Sequence, residues 1–357
     1  GMLHAINASD GTEIVGYVPY LVFDHLKDLA DPGYDHRFNV DLTPTVRKGE
    51  NLLGGSVDDT ILVGGLGKGG MGYFALDITN PQAMSKDEVL WEFPNKNTAE
   101  EHVKDMGYSY SKPVVVRSYG ATPWIVIVGN GYNSPNGNSV LFILDATNGT
   151  VIRKIQAGTG PDNGLSSPIA IDVNYDDVVD FVYAGDLKGN LWKFDLTGGS
   201  ATKWQVAFGN SGNPAPLFVA RDPAGAPQPI TSPPDVMLHP EKHGYIVCFG
   251  TGKFLGTGDY SDTQIQTIYG IWDYGDTVFQ APDVWSPDDD NEYLGAFVSR
   301  DRAARQLSNT YLSEKVKLLQ QVATDFEVDS VTGTITVRIL SDKNPLWETM
   351  ADPQGGG

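Results

Sequence analysis

Apolar and polar positions along the chain return to one theme: an apolar run ends in Asp or Asn, a short turn follows, and a second apolar run leaves it. Leu3–Ile6 with Ile14–Tyr17 opens the theme, and Tyr73–Asp77 with Val89–Phe93 repeats it. Leu141–Asp145 with Val151–Ile155, and Leu191–Asp195 with Lys203–Val206, are further copies, and Tyr269–Asp273 begins another. Ahead of most copies stands a strand-like run closing on Gly: Ile61–Gly64, Ile125–Gly129, Phe181–Gly185 and Tyr245–Gly250. Before these lie extended pieces at Val40–Val46, Tyr108–Val116 and Leu165–Ile171. Four strands recurring every roughly 50–80 residues predict propeller blades packed radially about an axis, each burying its faces only against its neighbours.

Some stretches break this rhythm. Between Pro19 and Leu29 apolar residues fall at helical spacing, which predicts a short helix inserted after the first strand pair. Gln280–Glu292 reads as a polar, proline-bearing loop, Arg300–Gln306 as a helical turn, Val316–Val322 and Thr332–Leu340 as strands, and Asp352–Gly357 as a linker. The expected organisation is all-β. Residues 1–280 form propeller blades with an acidic loop at 172–180, and residues 281–357 supply a loop, strands and a tail that complete or extend the propeller.

Composition narrows the class. A chain of 357 residues exceeds a usual single domain, yet propellers of this length form around one centre. Hydrophobic residues at 40% suffice for a large core, and 41 Gly with 22 Pro favour a turn-rich all-β chain. The net charge of −20 repels phosphate backbones, so nucleic acid is not an expected partner, and it attracts cations. Cys248 is the one cysteine, which excludes a disulfide or a thiolate zinc cluster built within the chain. In the apolar run Tyr245–Gly250 it reads as a packed core thiol. No apolar run approaches the ~20 residues that span a bilayer, so no transmembrane segment is expected. No basic-then-apolar leader opens the sequence, which begins inside a motif as a fragment would.

The chemistry concentrates in Asp172-Val-Asn174-Tyr-Asp176-Asp-Val178-Val-Asp180. Side-chain oxygens stand at loop positions 1, 3, 5 and 9, with the Val178 carbonyl available at position 7. Calcium takes about six to eight oxygens, and this alternation turns successive odd positions toward one centre. Asp172, Asn174 and Asp176 each offer a side-chain oxygen and Asp180 one or both of its own. With a water the set suits Ca²⁺ better than the stricter octahedron of Mg²⁺. Position 6 is Asp177 rather than Gly and position 12 is Tyr183 rather than Glu, so the flanks are not those of a helix-loop-helix site. The two apolar runs that follow, 181–185 and 191–195, around a Gly-containing turn place the loop at the mouth of a β-hairpin. A solvated acidic turn that binds nothing is the alternative.

Other signals carry less. Gly65-Leu-Gly67-Lys-Gly-Gly70 satisfies the dinucleotide glycine pattern, but a strand rather than a helix follows it, so it reads as a hairpin turn. The histidines are scattered; His239 and His243 alone are four apart, around Pro240 and with no metalloprotease-like Glu between them. No nucleophile-elbow serine motif occurs. Trp91, Trp192, Trp204 and Trp272 follow strand periodicity and read as core or blade-edge packing.

Several long motifs in one order carry a resemblance: Met2–Ala5, Val63–Asp77, Val128–Ser134, Asn163–Pro168, Ala184–Asp195, Gly250–Gly258 and Tyr269–Asp273. Together they closely resemble the C-terminal propeller of the PilY family of type IV pilus biogenesis and tip-associated adhesin proteins. The likeness covers most of residues 1–280 and thins beyond, where a Gly-Trp-Tyr run of the family's late strands is missing. The resemblance implies a modified β-propeller similar to the quinoprotein alcohol dehydrogenases, with short helical insertions. It also implies a Ca²⁺ site at Asp172, Asn174, Asp176, Val178 and Asp180, and a non-enzymatic role in pilus extension and retraction, twitching motility and surface adhesion. Type IV pilus components and a host-cell surface are the implied partners, at an extracellular or outer-membrane-associated location. Two alternatives stay open. One is a quinoprotein dehydrogenase using pyrroloquinoline quinone, whose vicinal disulfide the single cysteine does not allow. The other is an integrin-like calcium-dependent adhesion module without an assembly role.

Overall fold

A computed structural model describes residues 1–55, 58–210, 212–222, 224–238 and 244–273, and the backbone of two later strands. The chain divides into two compact units, Gly1–Gly275 and Asp276–Gly357. The first opens with an antiparallel pair, β1 (Leu3–Ile6) and β2 (Glu13–Tyr17). A helical run follows at the expected place, with α1 (Phe23–Leu26) between 3-10 turns at Tyr20–Val22 and Lys27–Ala30.

Antiparallel sheets then succeed one another. The first is β3 (Thr45–Glu50), β4 (Asp58–Gly65), β5 (Tyr73–Asp77) and β6 (Val89–Phe93). After α2 (Glu100–Asp105) comes the second, β7 (Val114–Arg117), β8 (Trp124–Gly129), β9 (Ser139–Asp145) and β10 (Val151–Gly158). The third is β11 (Ile169–Ile171), β12 (Phe181–Gly185), β13 (Asn190–Asp195) and β14 (Gln205–Val206). A hairpin of β15 (Phe208–Asn210) and β16 (Asn213–Ala215) intervenes, and β17 (Phe218–Val219) returns to pair with β13. The fourth sheet is β18 (Asp235–Leu238), β19 (Tyr245–Gly250) and β20 (Ile268–Asp273).

This is the blade repeat of a β-propeller. Among the described residues no pairing joins β1–β2 to β18–β20, so the sheets do not close into a ring. In the second unit β21 (Val322–Val328) and β22 (Ile335–Leu340) form an antiparallel hairpin. The loop expected at Gln280–Glu292, the helical turn at Arg300–Gln306, the tail Asp352–Gly357 and the pair His239 and His243 lie outside the described residues. So does the strand expected at Val316–Val322, apart from its last residue.

The continuous apolar runs of the middle strands have a simple cause: both faces of each inner sheet are covered. On β8 and β9, Val126, Val128, Phe142 and Leu144 pack toward Ile61, Tyr73 and Trp91 of the first sheet. Their alternates Ile125, Ile127, Leu141 and Ile143 pack toward Val182, Trp192, Phe194 and Trp204 of the third. A strand projects successive side chains to opposite faces, so one run serves two cores. The glycines that end β8 and β12 admit the next blade. A Cβ on Gly129 would collide with the Leu165 and Ser166 carbonyls, and one on Gly185 with Ile230.

The first strands of the first three sheets start later than the extended runs suggested, just past Pro44, Pro113 and Pro168, and β18 likewise begins just past Pro234. Proline has no N–H to give a neighbouring strand, so pairing begins one residue on. The acids that end the third strands make turns. Asp77, Asp145 and Asp195 accept the backbone N–H of Thr79, Thr147 and Thr197 at 2.8–3.0 Å. Asx turns of this kind reverse the chain toward the outer strand. The glycine-rich stretch after β4 is a short 3-10 turn into β5, as expected of a hairpin. Cys248 departs from its expected place in the core. It lies half-buried on the β19 face opposite Val247 and Phe249, because alternation along that strand buries those two instead.

Candidate metal centre

The acidic loop spans the interval between β11 and β12, which pair with Ile171 opposite Phe181. It therefore closes a hairpin of β11 and β12, and it also adjoins the open end of the β12–β13 hairpin expected from sequence, where Phe181 pairs with Asp195. Asp180 N–H donates to the Ile171 carbonyl at 2.9 Å, which ties the two ends of the loop together.

Within the loop the backbone wraps around the side chain of its first residue. Asp172 Oδ1 accepts the N–H groups of Asn174, Tyr175 and Asp176 at 3.2, 2.6 and 3.3 Å, and Oδ2 accepts that of Asp177 at 2.8 Å. Asn174 Oδ1 accepts Asp176 N–H at 3.0 Å, and Asp176 Oδ1 accepts Val178 N–H at 3.0 Å. The wrap puts Tyr175 and Asp177 in the left-handed region, at φ 61° and 65°. Asp tolerates this conformation better than most residues, which is how position 6 manages without glycine.

Asp180 differs from the other acids. It is fully buried; its Oδ2 accepts Val173 N–H at 2.8 Å, while its Oδ1 has no hydrogen-bond partner. Burial, and then the charges of Asp172 and Asp176, push its carboxyl above the usual range. A buried carboxylate oxygen without a donor is costly unless a cation meets it. That orphan, facing two further acids, is what a hard cation fits, and the donor set of carboxylates, an amide and a carbonyl is of calcium type. Among the described residues no three carboxylate, imidazole or thiol groups converge on one point. Several of the loop's carboxylate oxygens are instead engaged by its own backbone amides.

Two tyrosines that sequence reasoning missed complete the surroundings. Tyr119, in the turn between β7 and β8, donates its hydroxyl to Asp176 Oδ2 at 2.5 Å and accepts Asn174 Nδ2 at 2.8 Å. Burial, and next the bond to Asp176, raise its hydroxyl to about 12. Val179 N–H donates to the Arg117 carbonyl at 2.9 Å, docking the loop on the end of β7. On the other side Tyr245 of β19 is raised to about 12, first by burial, then by Tyr175, Asp180 and Asp172. The loop thus meets three consecutive blades. No local signal marks Tyr119 or Tyr245, since each arrives from a different sheet.

Beside the loop lies a buried ion pair. Lys193 Nζ is 2.6 Å from Asp273 Oδ2, with side chains 4% and 0% exposed, and Tyr183 donates its hydroxyl to the same oxygen at 2.6 Å. Lys193 also sits 4.0 Å above the Phe181 ring. The pair joins the third sheet to the fourth.

Successive antiparallel sheets of this kind, with a wrapped acidic loop at one blade's end, define a β-propeller domain with a candidate cation site. A family model described as the PilY1 beta-propeller domain matches residues 1–281. A PilY1 homolog of Xylella fastidiosa, strain Temecula1, is 43% identical over 290 residues, covering 78% of this chain and 19% of the relative. The type IV pilus biogenesis factor PilY1 of Pseudomonas aeruginosa PAO1 is 41% identical over 296 residues, covering 76% of the chain and 24% of the relative. The crystal structure of the P. aeruginosa PilY1 C-terminal domain superposes with a TM-score of 0.64 at 38% identity, covering 77% of this chain and 56% of that one. The chain belongs to the PilY1 β-propeller family. It spans about a fifth to a quarter of the length of these curated relatives.

Proposed function

We propose that this chain is a calcium-binding, non-enzymatic domain of a type IV pilus biogenesis protein, acting at the pilus or cell surface. Calcium held by Asp172, Asn174, Asp176, the Val178 carbonyl and Asp180 orders the loop. Ordering the loop regulates how the domain engages pilus components, and through them pilus extension, retraction and twitching motility. Contact with a host surface follows from the same face. The observation that carries this reading is the buried, partnerless oxygen of Asp180 in a loop that bridges three blades. A cation there relieves the burial penalty and links the loop to Tyr119 and Tyr245. The stabilisation available is RT ln(1 + [Ca]/Kd), about 2.7 kcal/mol at a hundredfold excess over Kd, enough to order one loop.

The quinone-dependent reading is disfavoured by topology. The loop lies at one end of β12, whereas the turns after β4, β8, β12 and β19 cluster at the other. An ion in the loop does not reach a ligand held among those turns. Calorimetry tests the proposal: the wild type takes up calcium with measurable heat, and Asp172→Ala weakens binding at least tenfold with an unchanged far-ultraviolet spectrum. Equal heats for the two proteins refute it.

A further inference from the structure

The end of the sheets opposite the acidic loop carries a second site. The turns after the second strand of all four sheets, together with the segments entering β7 and β11, surround a cleft of about 480 Å³. That volume is within the roughly 300–1,000 Å³ of small-ligand sites. Tyr108, Tyr110 and Tyr132 line it, the last two with ring centroids 5.7 Å apart. Tyr132 is buried and its hydroxyl donates to the Thr231 carbonyl at 3.5 Å, while Tyr108 and Tyr110 are half-buried and their two hydroxyls donate no hydrogen bond among the described residues. Asn133 and Asp162, also lining the cleft, stand in the left-handed region at φ 60° and 58°. Of the five non-glycine residues with positive φ among the described residues, two are here and two are in the acidic loop. Such backbone conformations gather where a structure serves a ligand.

We infer that this cleft binds a short, neutral oligosaccharide. A tyrosine presents an apolar ring face beside a polar hydroxyl, which matches a sugar ring with its flat C–H face and equatorial hydroxyls. The remaining lining is evenly charged, Lys68 and Lys253 against Asp162 and Asp259. Lys253 is spoken for by Asp259 at 3.1 Å, and Lys68 lies 4.8 Å over the Phe38 ring. The four lining charges cancel, so the lining itself favours neither a polyanion nor a polycation, and polar and apolar groups share it too evenly for a lipid chain. Donors and acceptors of both kinds around an aromatic wall suit a ligand made of hydroxyl groups.

The test uses the chain as it stands, with cellotriose and chitotriose as neutral probes and pentaglutamate as an acidic peptide. Saturation-transfer NMR and calorimetry are run in calcium and in EDTA. Binding of either trisaccharide is expected in both conditions, because the cleft and the acidic loop occupy opposite ends of β12. Tyr110→Ala is expected to weaken it about tenfold, the scale of a lost aromatic contact, with calcium uptake unchanged. Absence of binding by both trisaccharides overturns the inference, as does equal binding by Tyr110→Ala. Binding of pentaglutamate alone overturns it in favour of a peptide site. Because EDTA leaves the expected outcome intact, failure here and failure of the calcium proposal are separate results.

Discussion

Asp176 and Asn174 each divide their polar atoms between two tasks. One oxygen of each accepts a loop amide, and the remaining atom is held by the Tyr119 hydroxyl. Outer partners of this kind fix how ligands present themselves to a metal, and their loss commonly costs 10–100-fold in affinity. Tyr119→Phe is therefore expected to weaken calcium binding about tenfold while leaving thermal stability in EDTA within a degree or two; terbium luminescence and a melting curve read the two. His102 offers a residue-level prediction away from the loop. Its Nδ1 is buried without a partner beside the Phe142 ring, and burial, then Lys154, lower its basicity from 6.5. A base depressed in the folded state favours folding above its unfolded value and loses that contribution as pH falls through it. Stability measured by urea should drop as pH falls below 6.5, and His102→Gln should flatten that slope. The five proposed ligand positions stand out in sequence because they share one loop and one alternation. Tyr119 does not, since it stands over fifty residues earlier and only the docking of the loop on β7 brings it near.

Among elements, strand placement follows from chemistry that recurs. Prolines set where the first strands begin, and Asp-x-Thr turns, as at Asp145 and Thr147, end the third. Asp273 ends a third strand as well, yet its side chain is buried against Lys193 and Tyr183. The same residue type at the same register position thus serves a turn in one sheet and a junction in the next. Removing one partner of a buried pair leaves a charge without its counter-ion, at about 3–5 kcal/mol. Lys193→Ala is expected to cost that much in denaturant unfolding, and Lys193→Met with Asp273→Leu to recover most of it. A variant as stable as the wild type would show the pair to be dispensable. Sequence reading expected Lys203–Val206 as one strand, but only Gln205–Val206 pairs, because a 3-10 turn occupies Ala201–Lys203. The return of β17 to β13 also had no local signal, as two residues pair across a separation that no periodicity spans.

At the scale of the whole molecule, the sheets separate two chemistries along one short strand. The acidic loop precedes β12 and the tyrosine cleft follows it. Five residues at about 3.3 Å each keep them apart. Calcium should accordingly slow amide exchange in residues 172–180 and in the 118–123 turn that holds Tyr119, and leave the turns of the cleft unchanged. Exchange measured with and without the ion by mass spectrometry checks this, and uniform protection across both ends would contradict it. The net charge of −20 favours cation uptake at any acidic site, so magnesium at equal ionic strength is the control.

The recurring antiparallel strands, the helical insertion after β2 and the alternation of oxygen-bearing residues in the acidic loop were all written in the sequence, because each is a local pattern of side-chain alternation, turn chemistry or spacing. Tertiary structure alone decided which blade faces reach the loop, that Asp180 keeps a buried oxygen unmet, and that tyrosines from two segments meet lysines from two other sheets in one cleft. Those outcomes depend on contacts between distant strands, and distance along a chain carries no record of them until the sheets pack.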